Sequence, residues 1–236
     1  MQSRGWRTGS CERYGRPYSF GLASSDLQSL SPVSSVPLTT ALDAFVDQFQ
    51  AQTEAAGLPT SEHAVHFCLA LGLQAAWGLA PGAILFERPA PDRSRTDLWV
   101  REPHDIAIEV KFLRPLPSGS SRPYPQLYGQ VLADFNKVAR VPATNRLMVV
   151  VADRDYVGYI ERSGRGMMPM TVGSSVTIRA SSLAQLSETA QRTARSHGEW
   201  SDLAITLIWS RLAGGCSLFA WEVAPCGPGA PMLETI

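Results

Sequence analysis

The chain has 236 residues, of which 44% are hydrophobic and 18% are charged, and its formal net charge is zero. This composition is typical of a globular protein and excludes the disordered and fibrous classes; no apolar run approaches the roughly 20 residues that a membrane-spanning helix needs. The zero net charge excludes strong sequence-independent attraction to nucleic acid, so such binding must depend on a local patch. Residues 93–146 include nine basic and five acidic residues, which predicts a patch of this kind.

Residues 1–40 are rich in Ser, Gly, Arg and Pro and lack periodicity, which predicts a flexible leader ahead of one domain over residues 41–236. A transit peptide is the alternative, against which Glu12, Asp26 and the lack of an amphipathic stripe count. The four cysteines show no paired CxxC spacing, and no secretory signal precedes them. We therefore expect reduced thiols in a cytoplasmic protein, with Cys68 in the core.

Two helices are predicted next. Residues 41–56 carry an apolar stripe at helical spacing, and a second helix begins at Thr60 or Ser61, either of which can cap its first amides. This second helix runs to Trp77 and is apolar almost all round, which is typical of a buried helix. A strand over residues 83–88 follows it.

The most informative stretch is a predicted β-hairpin. Residues 106–112 alternate strictly between apolar and polar, residues 96–100 have the same character, and the polar segment 101–105 contains a proline that suits a turn. If Val100 pairs with Ile106, the register places Trp99 opposite Ala107, Leu98 opposite Ile108, and Asp97 opposite Glu109. Every pair then matches in polarity.

Asp97 and Glu109 are candidate metal ligands. Opposed carboxylates on neighbouring strands lie roughly 5 Å apart and destabilise a sheet unless something holds them together. Mg²⁺ does this, because it takes oxygen ligands from one or two carboxylates together with phosphate and water. Lys111, on the same face as Glu109, would orient an attacking water or neutralise phosphate charge. Only Lys111 and Lys137 are lysines among the 21 basic residues, which favours a role that needs a compact ammonium group.

The pattern of Asp97 followed by Glu109-Val110-Lys111 on a strand resembles the PD-(D/E)xK nuclease superfamily. The resemblance makes Asp97 the first acid and Glu109 and Lys111 the (D/E)xK pair, with the Val110 carbonyl as a further metal ligand. Thr96 stands where the family has proline. The resemblance implies a restriction endonuclease-like fold, Mg²⁺ with Mn²⁺ as a substitute, and hydrolysis of nucleic acid, DNA rather than RNA.

The same resemblance points to auxiliary residues. Glu62 matches an additional acid from the helix before the sheet, although a first-turn Glu also complements the helix dipole, and Glu87 is its substitute. Gln130 or Gln126 matches a glutamine on the helix that follows the (D/E)xK strand. His63 and His66 lack further ligands at zinc spacing and are interpreted as polar or packing residues.

A Pro/Gly/Ser-rich loop over residues 114–125 carries Arg114 and Arg122 as candidate phosphate contacts, with simple surface disorder as the alternative. Residues 126–140 predict a helix whose apolar stripe is matched by a polar one. The alternative is that the polar stripe has no role at the site and faces solvent. In that case Asp134 and Lys137 form a surface ion pair that stabilises the fold by a few tenths of a kcal/mol.

Residues 146–152 form a continuous apolar run, as in a strand buried on both faces. The order of strand, hairpin, helix and strand predicts a three-layer α/β/α sandwich with a central mixed β-sheet. Residues 156–236 elaborate this core with a strand over 156–160, a helix over 182–196, and a hairpin of 203–212 with 217–223 around Gly214-Gly215.

The sequence has no Gly-rich phosphate loop, no nucleophile elbow and no zinc-finger spacing. The leading hypothesis is a Mg²⁺-dependent nuclease, acting alone, as a homodimer or with a partner subunit. A second hypothesis is a non-catalytic nucleic-acid-binding or regulatory module that keeps the fold. In a third, Glu109 and Lys111 form only a surface pair on a solvated sheet face.

Overall fold

The structure is a computed structural model that describes residues 36–59, 61–80, 82–89, 95–114 and 123–226. The predicted leader covers residues 1–40. Residues 1–35, with Cys11, lie outside the described residues, as does Arg122, whereas residues 38–40 begin the first helix. The helices are α1 (Leu38–Ala56), α2 (Glu62–Trp77), α3 (Tyr124–Ala139), α4 (Arg154–Ser163), a 3₁₀ helix (Ala180–Gln185) and α5 (Glu188–Ala194). The strands are β1 (Ile84–Pro89), β2 (Arg95–Val100), β3 (Ile106–Leu113), β4 (Asn145–Ala152), β5 (Ser175–Ile178), β6 (Leu203–Ala213) and β7 (Cys216–Pro225).

The seven strands form one mixed sheet in the order β1-β2-β3-β4-β7-β6-β5. Strands β3 and β4 are parallel and are connected through α3, whereas the other neighbouring strands pair antiparallel. Strand β4 lies in the middle of the sheet and its last six residues are buried. Its continuous apolar sequence predicts this position, because both of its faces are covered.

Helices lie on both faces of the sheet. Helices α1 and α2 pack with Leu98, Ile108 and Val149 in one hydrophobic cluster. Helices α3, α4 and α5 pack with Ala107, Val150 and other residues in a second cluster. The fold is therefore α/β with a mixed sheet, an arrangement compatible with the predicted α/β/α sandwich. Among the helices of the described ranges, none is both long and apolar enough to cross a membrane.

The predicted hairpin register is confirmed for three of its four pairs. Leu98 pairs with Ile108, Trp99 with Ala107 and Val100 with Ile106, and a turn over residues 102–104 joins the two strands. The N-terminal cap of α2 is Ser61, whose side chain accepts a hydrogen bond from the Ala64 amide. The burial of Cys68 and the C-terminal hairpin of β6 and β7 around Gly214-Gly215 are also confirmed.

Two predictions for the C-terminal part are wrong. The segment predicted as a strand over 156–160 belongs to α4, whose first amides are capped by Asp153 through a 2.7 Å hydrogen bond from the Tyr156 amide. The helix predicted over 182–196 is a 3₁₀ helix and the short α5, with Ser187 between them as the cap of α5. In both places a local capping side chain determines where the helix begins.

Candidate active site

The candidate site lies where β2 separates from β3. Pairing between these strands ends at Leu98 and Ile108 within the described hairpin, so Asp97 and Glu109 do not form the predicted next pair. Instead, Oδ2 of Asp97 accepts a 2.8 Å hydrogen bond from the backbone amide of Val110. A buried backbone amide needs an acceptor. If β2 and β3 stayed paired, a backbone carbonyl of β2 would accept the hydrogen bond from Val110; here the Asp97 side chain accepts it instead.

Glu62 acts in the same way one pleat further along β3. It is the first residue of α2, and its Oε2 accepts a 3.0 Å hydrogen bond from the Phe112 amide. Two carboxylates, one from β2 and one from α2, therefore replace strand pairing along this edge of β3. The opening is lined with acceptor oxygens as a result.

Glu109 is the most deeply buried acid of the site. It is 2% exposed, and its Oε2 lies 2.7 Å from Nζ of Lys137 on α3. Its other oxygen, Oε1, is buried and has no hydrogen-bond partner among the described residues. Burial, reinforced by the charge of Asp97, raises the pKa of Glu109 well above its ordinary value, although the Lys137 ammonium opposes the shift.

Lys111 is held by two other acids. Its Nζ lies 3.2 Å from Oδ2 of Asp134 on α3 and 3.5 Å from Oε2 of Glu62. Burial alone would lower the pKa of Lys111, but the carboxylates of Asp134 and Glu62 outweigh it and raise that pKa above the ordinary value. The ammonium group is therefore charged and fixed between the helix layers.

Two histidines border the acids. Nε2 of His66 on α2 lies 3.7 Å from Oδ2 of Asp97; this nitrogen is buried and lacks a hydrogen-bond partner in the described structure. Burial lowers the pKa of His66 against the opposing charges of Asp97 and Glu62, which favours a neutral imidazole. Nε2 of His197, in the segment before β6, lies 3.6 Å from Oδ1 of Asp134.

The charges of the cluster favour a divalent cation. The four carboxyl groups of Glu62, Asp97, Glu109 and Asp134 face the two ammonium groups of Lys111 and Lys137, so the acids outnumber the cations by two. The orphaned Oε1 of Glu109 and the Asp97 carboxylate are hard oxygen donors of the type that Mg²⁺ and Mn²⁺ bind. These residues fit such an ion. As they stand, however, no group of three or more His, Cys, Asp or Glu side chains within the described residues is arranged to hold one.

The structure brings most of the predicted site together. Asp97, Glu109, Val110, Lys111 and Glu62 meet at the strand opening through the contacts given above. The prediction that Lys111 points beside Glu109 needs one change, since the ammonium group in contact with Glu109 is that of Lys137.

The remaining candidates lie around this centre. Gln130 is half-buried on α3, one helical turn before Asp134, whereas Gln126 is exposed. Glu87 on β1 pairs with Arg95 at 2.7 Å and lies 3.6 Å from His63, so the acid that reaches β3 is Glu62 rather than Glu87. Arg114 is exposed at the end of β3.

Sequence reasoning placed a glutamine of α3 at the site but missed the ion pairs that Asp134 and Lys137 of the same helix make. The alternative of an Asp134–Lys137 surface pair is wrong, because Asp134 pairs with Lys111 and Lys137 pairs with Glu109, and both α3 side chains are largely buried. The solvated sheet face of the third hypothesis is wrong for the same reason. One signal pointed to this arrangement: the only two lysines of the chain are the two cations of the cluster.

Comparison of the chain with protein-family models, with curated proteins and with solved structures finds no match.

Proposed function

We propose that the chain is a metal-dependent nuclease that hydrolyses phosphodiester bonds in DNA, with a restriction endonuclease-like fold and Mg²⁺ as the ion, for which Mn²⁺ can substitute. The observation that carries the proposal is the buried, unpartnered Oε1 of Glu109 at a gap between two strands, where Asp97 is close enough for its charge to help raise the pKa of Glu109. A buried polar oxygen without a partner is costly unless a ligand satisfies it.

Asp97 and Glu109 would hold the ion, with the Val110 carbonyl as a further oxygen donor. A bound divalent ion would lower the pKa of the water that attacks phosphorus and would screen the charge of the phosphate. Screening of the phosphate charge suits this chain, which has no net positive charge with which to attract a polyanion.

Lys111 stabilises the negative charge that develops on the phosphate oxygens. Asp134 and Glu62 fix its ammonium at 3.2 Å and 3.5 Å, so the donor is oriented before the substrate arrives. Preorganised donors of this kind contribute most when they need no reorganisation during the reaction. Asp134 and Glu62 are positioning residues for the lysine in this mechanism.

The test is a cleavage assay on plasmid and single-stranded DNA with Mg²⁺ or Mn²⁺. We expect Asp97→Asn and Lys111→Met each to reduce the rate by about 10²-fold or more, because each removes a group that acts on the transition-state charge. Asp47→Asn is the matched control, since Asp47 is an exposed carboxylate on α1 outside the cluster, and it should cut at the wild-type rate. Chelation by EDTA should abolish cutting. Equal background from all variants and no effect of EDTA would refute the nuclease.

The second candidate is a nucleic-acid-binding or regulatory module without catalysis. One observation favours it: Lys137 and Lys111 already neutralise part of the acidic cluster, as they would if the site only stabilised the fold. This module would bind DNA with the same affinity with and without Mg²⁺ and would leave it intact. A filter-binding measurement beside the cleavage assay therefore separates the two candidates.

A further inference from the structure

Lys137 forms the shortest ion pair of the cluster, and it contacts only one of the two carboxylate oxygens of Glu109. Its Nζ lies 2.7 Å from Oε2 of Glu109, while Oε1 of the same carboxylate is buried without a partner in the described structure. Both side chains are enclosed, at 12% and 3% exposed. A buried carboxylate with one oxygen fixed by a lysine has little freedom to rotate.

We propose that Lys137 is a positioning residue of the metal site, which fixes Oε2 of Glu109 so that Oε1 is the oxygen presented to the ion. This inference rests on the proposed function and extends it to a residue 28 positions along the chain on a different element. Groups that hydrogen-bond to a ligating side chain orient it, and their loss typically lowers metal affinity by about 10–100-fold.

A purely electrostatic role for Lys137 predicts the opposite sign. Lys137 carries a positive charge next to the position where a cation would bind, so its removal would strengthen cation binding through Coulomb repulsion alone. A lysine that competes with the ion for Glu109 would also give stronger binding when removed. A fall in affinity can therefore be attributed to the loss of a properly directed Glu109, and not to charge.

Lys111 offers a matched comparison within the same cluster. It is the only other lysine, it is also enclosed, and its partners are Asp134 and Glu62 rather than Glu109. Lys111→Met and Lys137→Met each remove one ammonium group from the cluster. Only the second removes the contact to Glu109.

The full-length protein is first freed of metal with a chelator, which is then removed. It is titrated with Mn²⁺ in the absence of DNA, and the free ion is followed by electron paramagnetic resonance. We expect Lys137→Met to weaken Mn²⁺ binding by about 10-fold or more, and Lys111→Met to leave the affinity unchanged or higher. Lys137→Gln is the second variant, which keeps a hydrogen-bond donor for Oε2 and should retain part of the affinity. Circular dichroism on the metal-free variants identifies any that fail to fold.

Each result decides the matter. Unchanged or stronger Mn²⁺ binding by folded Lys137→Met, or by folded Lys137→Gln if the methionine variant does not fold, would overturn the positioning role while the metal site stands. An equal fall in both Lys137→Met and Lys111→Met would overturn it too, because it would show a general disturbance of the cluster. Absence of Mn²⁺ binding by the wild type would instead overturn the metal centre itself.

Discussion

Asp105 stabilises the turn that joins β2 and β3, the hairpin that carries the candidate site. Its Oδ1 accepts a 3.1 Å hydrogen bond from the indole nitrogen of Trp99, and its Oδ2 accepts bonds of 2.7 Å from both the amide and the hydroxyl of Thr144. The residue has a φ of 43°, in the left-handed region that Asp and Asn tolerate better than most residues. One side chain thereby connects β2, the turn and the segment before β4.

These hydrogen bonds predict a measurable effect of Asp105→Asn. Asparagine keeps the backbone conformation but replaces one acceptor oxygen by a donor, so the free energy of unfolding should fall by about 1–3 kcal/mol at pH 7. Urea unfolding measures this change. Asp47→Asn, an exposed change on α1, is the control and should remain within about 0.5 kcal/mol of the wild type.

The same residue predicts a pH dependence. The hydrogen bonds from the hydroxyl and amide of Thr144 lower the pKa of Asp105 in the folded protein. Its contribution to stability is therefore fully present above the unfolded value of about 3.9, and is lost as the pH falls through the lower folded value. The stability difference between wild type and Asp105→Asn should shrink below about pH 4. A difference that grew with acid would contradict this account.

At the scale of elements, α1 and α2 approach each other closely at Gly72. A Cβ atom at this position would lie 2.5 Å from the Phe45 backbone nitrogen and 2.6 Å from the Phe45 Cα. The backbone of α1 is therefore in direct contact with α2 at this point, and α2 carries both Glu62 and His66 of the candidate site. Helix contact and site geometry depend on the same glycine.

We expect Gly72→Ala to destabilise the protein by about 1–3 kcal/mol, because the added methyl group meets backbone that cannot move without shifting α1. Gly158→Ala on α4 is the matched control, since its Cβ would meet only the flexible end of Arg162 at 3.0 Å. That change should be neutral or stabilising by up to about 1 kcal/mol, the gain in helix propensity. Thermal unfolding of both variants gives the comparison; equal effects would show that the close approach is unimportant.

The elements differ in how far their sequences determine them. The β2–β3 register follows from the alternation along residues 106–112 and the matching polarity of residues 96–100, because a slip by one residue would move every side chain to the other face of the sheet. In α4, Tyr156, Val157 and Ile160 are strand-forming types, which led to the wrong prediction. The Asp153 cap and the burial of Tyr156 and Ile160, four residues apart, were the local signs of a helix.

The candidate site divides in the same way. Asp97, Glu109 and Lys111 follow from patterns within one hairpin and from the resemblance to a nuclease family. The pairing of Lys137 with Glu109 depends on how α3 is rotated over β3, a tertiary contact that no local pattern encodes. The same holds for His197, which reaches Asp134 from the segment before β6.

At the scale of the whole molecule, the N-terminal and C-terminal halves share both hydrophobic clusters. Trp209 of β6 packs in the cluster of α1 and α2 and donates a 2.9 Å hydrogen bond to Asp43 of α1. Trp221 of β7 packs against Phe135 of α3 in the other cluster. Strand β7 also pairs with β4 over six residues. The C-terminal strands are therefore part of the core on both faces of the sheet.

This sharing predicts that the described part of the chain unfolds as one cooperative unit. Urea transitions followed by far-UV circular dichroism, which reports all helices and strands, and by fluorescence of the buried tryptophans should coincide. Gly72→Ala, which alters only the α1–α2 contact, should shift both transitions by the same amount, because Trp209 links that helix pair to the C-terminal hairpin. A dichroism transition that moves while the fluorescence transition stays in place would show that the halves unfold separately. In that case the geometry of Asp134 and His197 would no longer depend on the helix that carries Glu62.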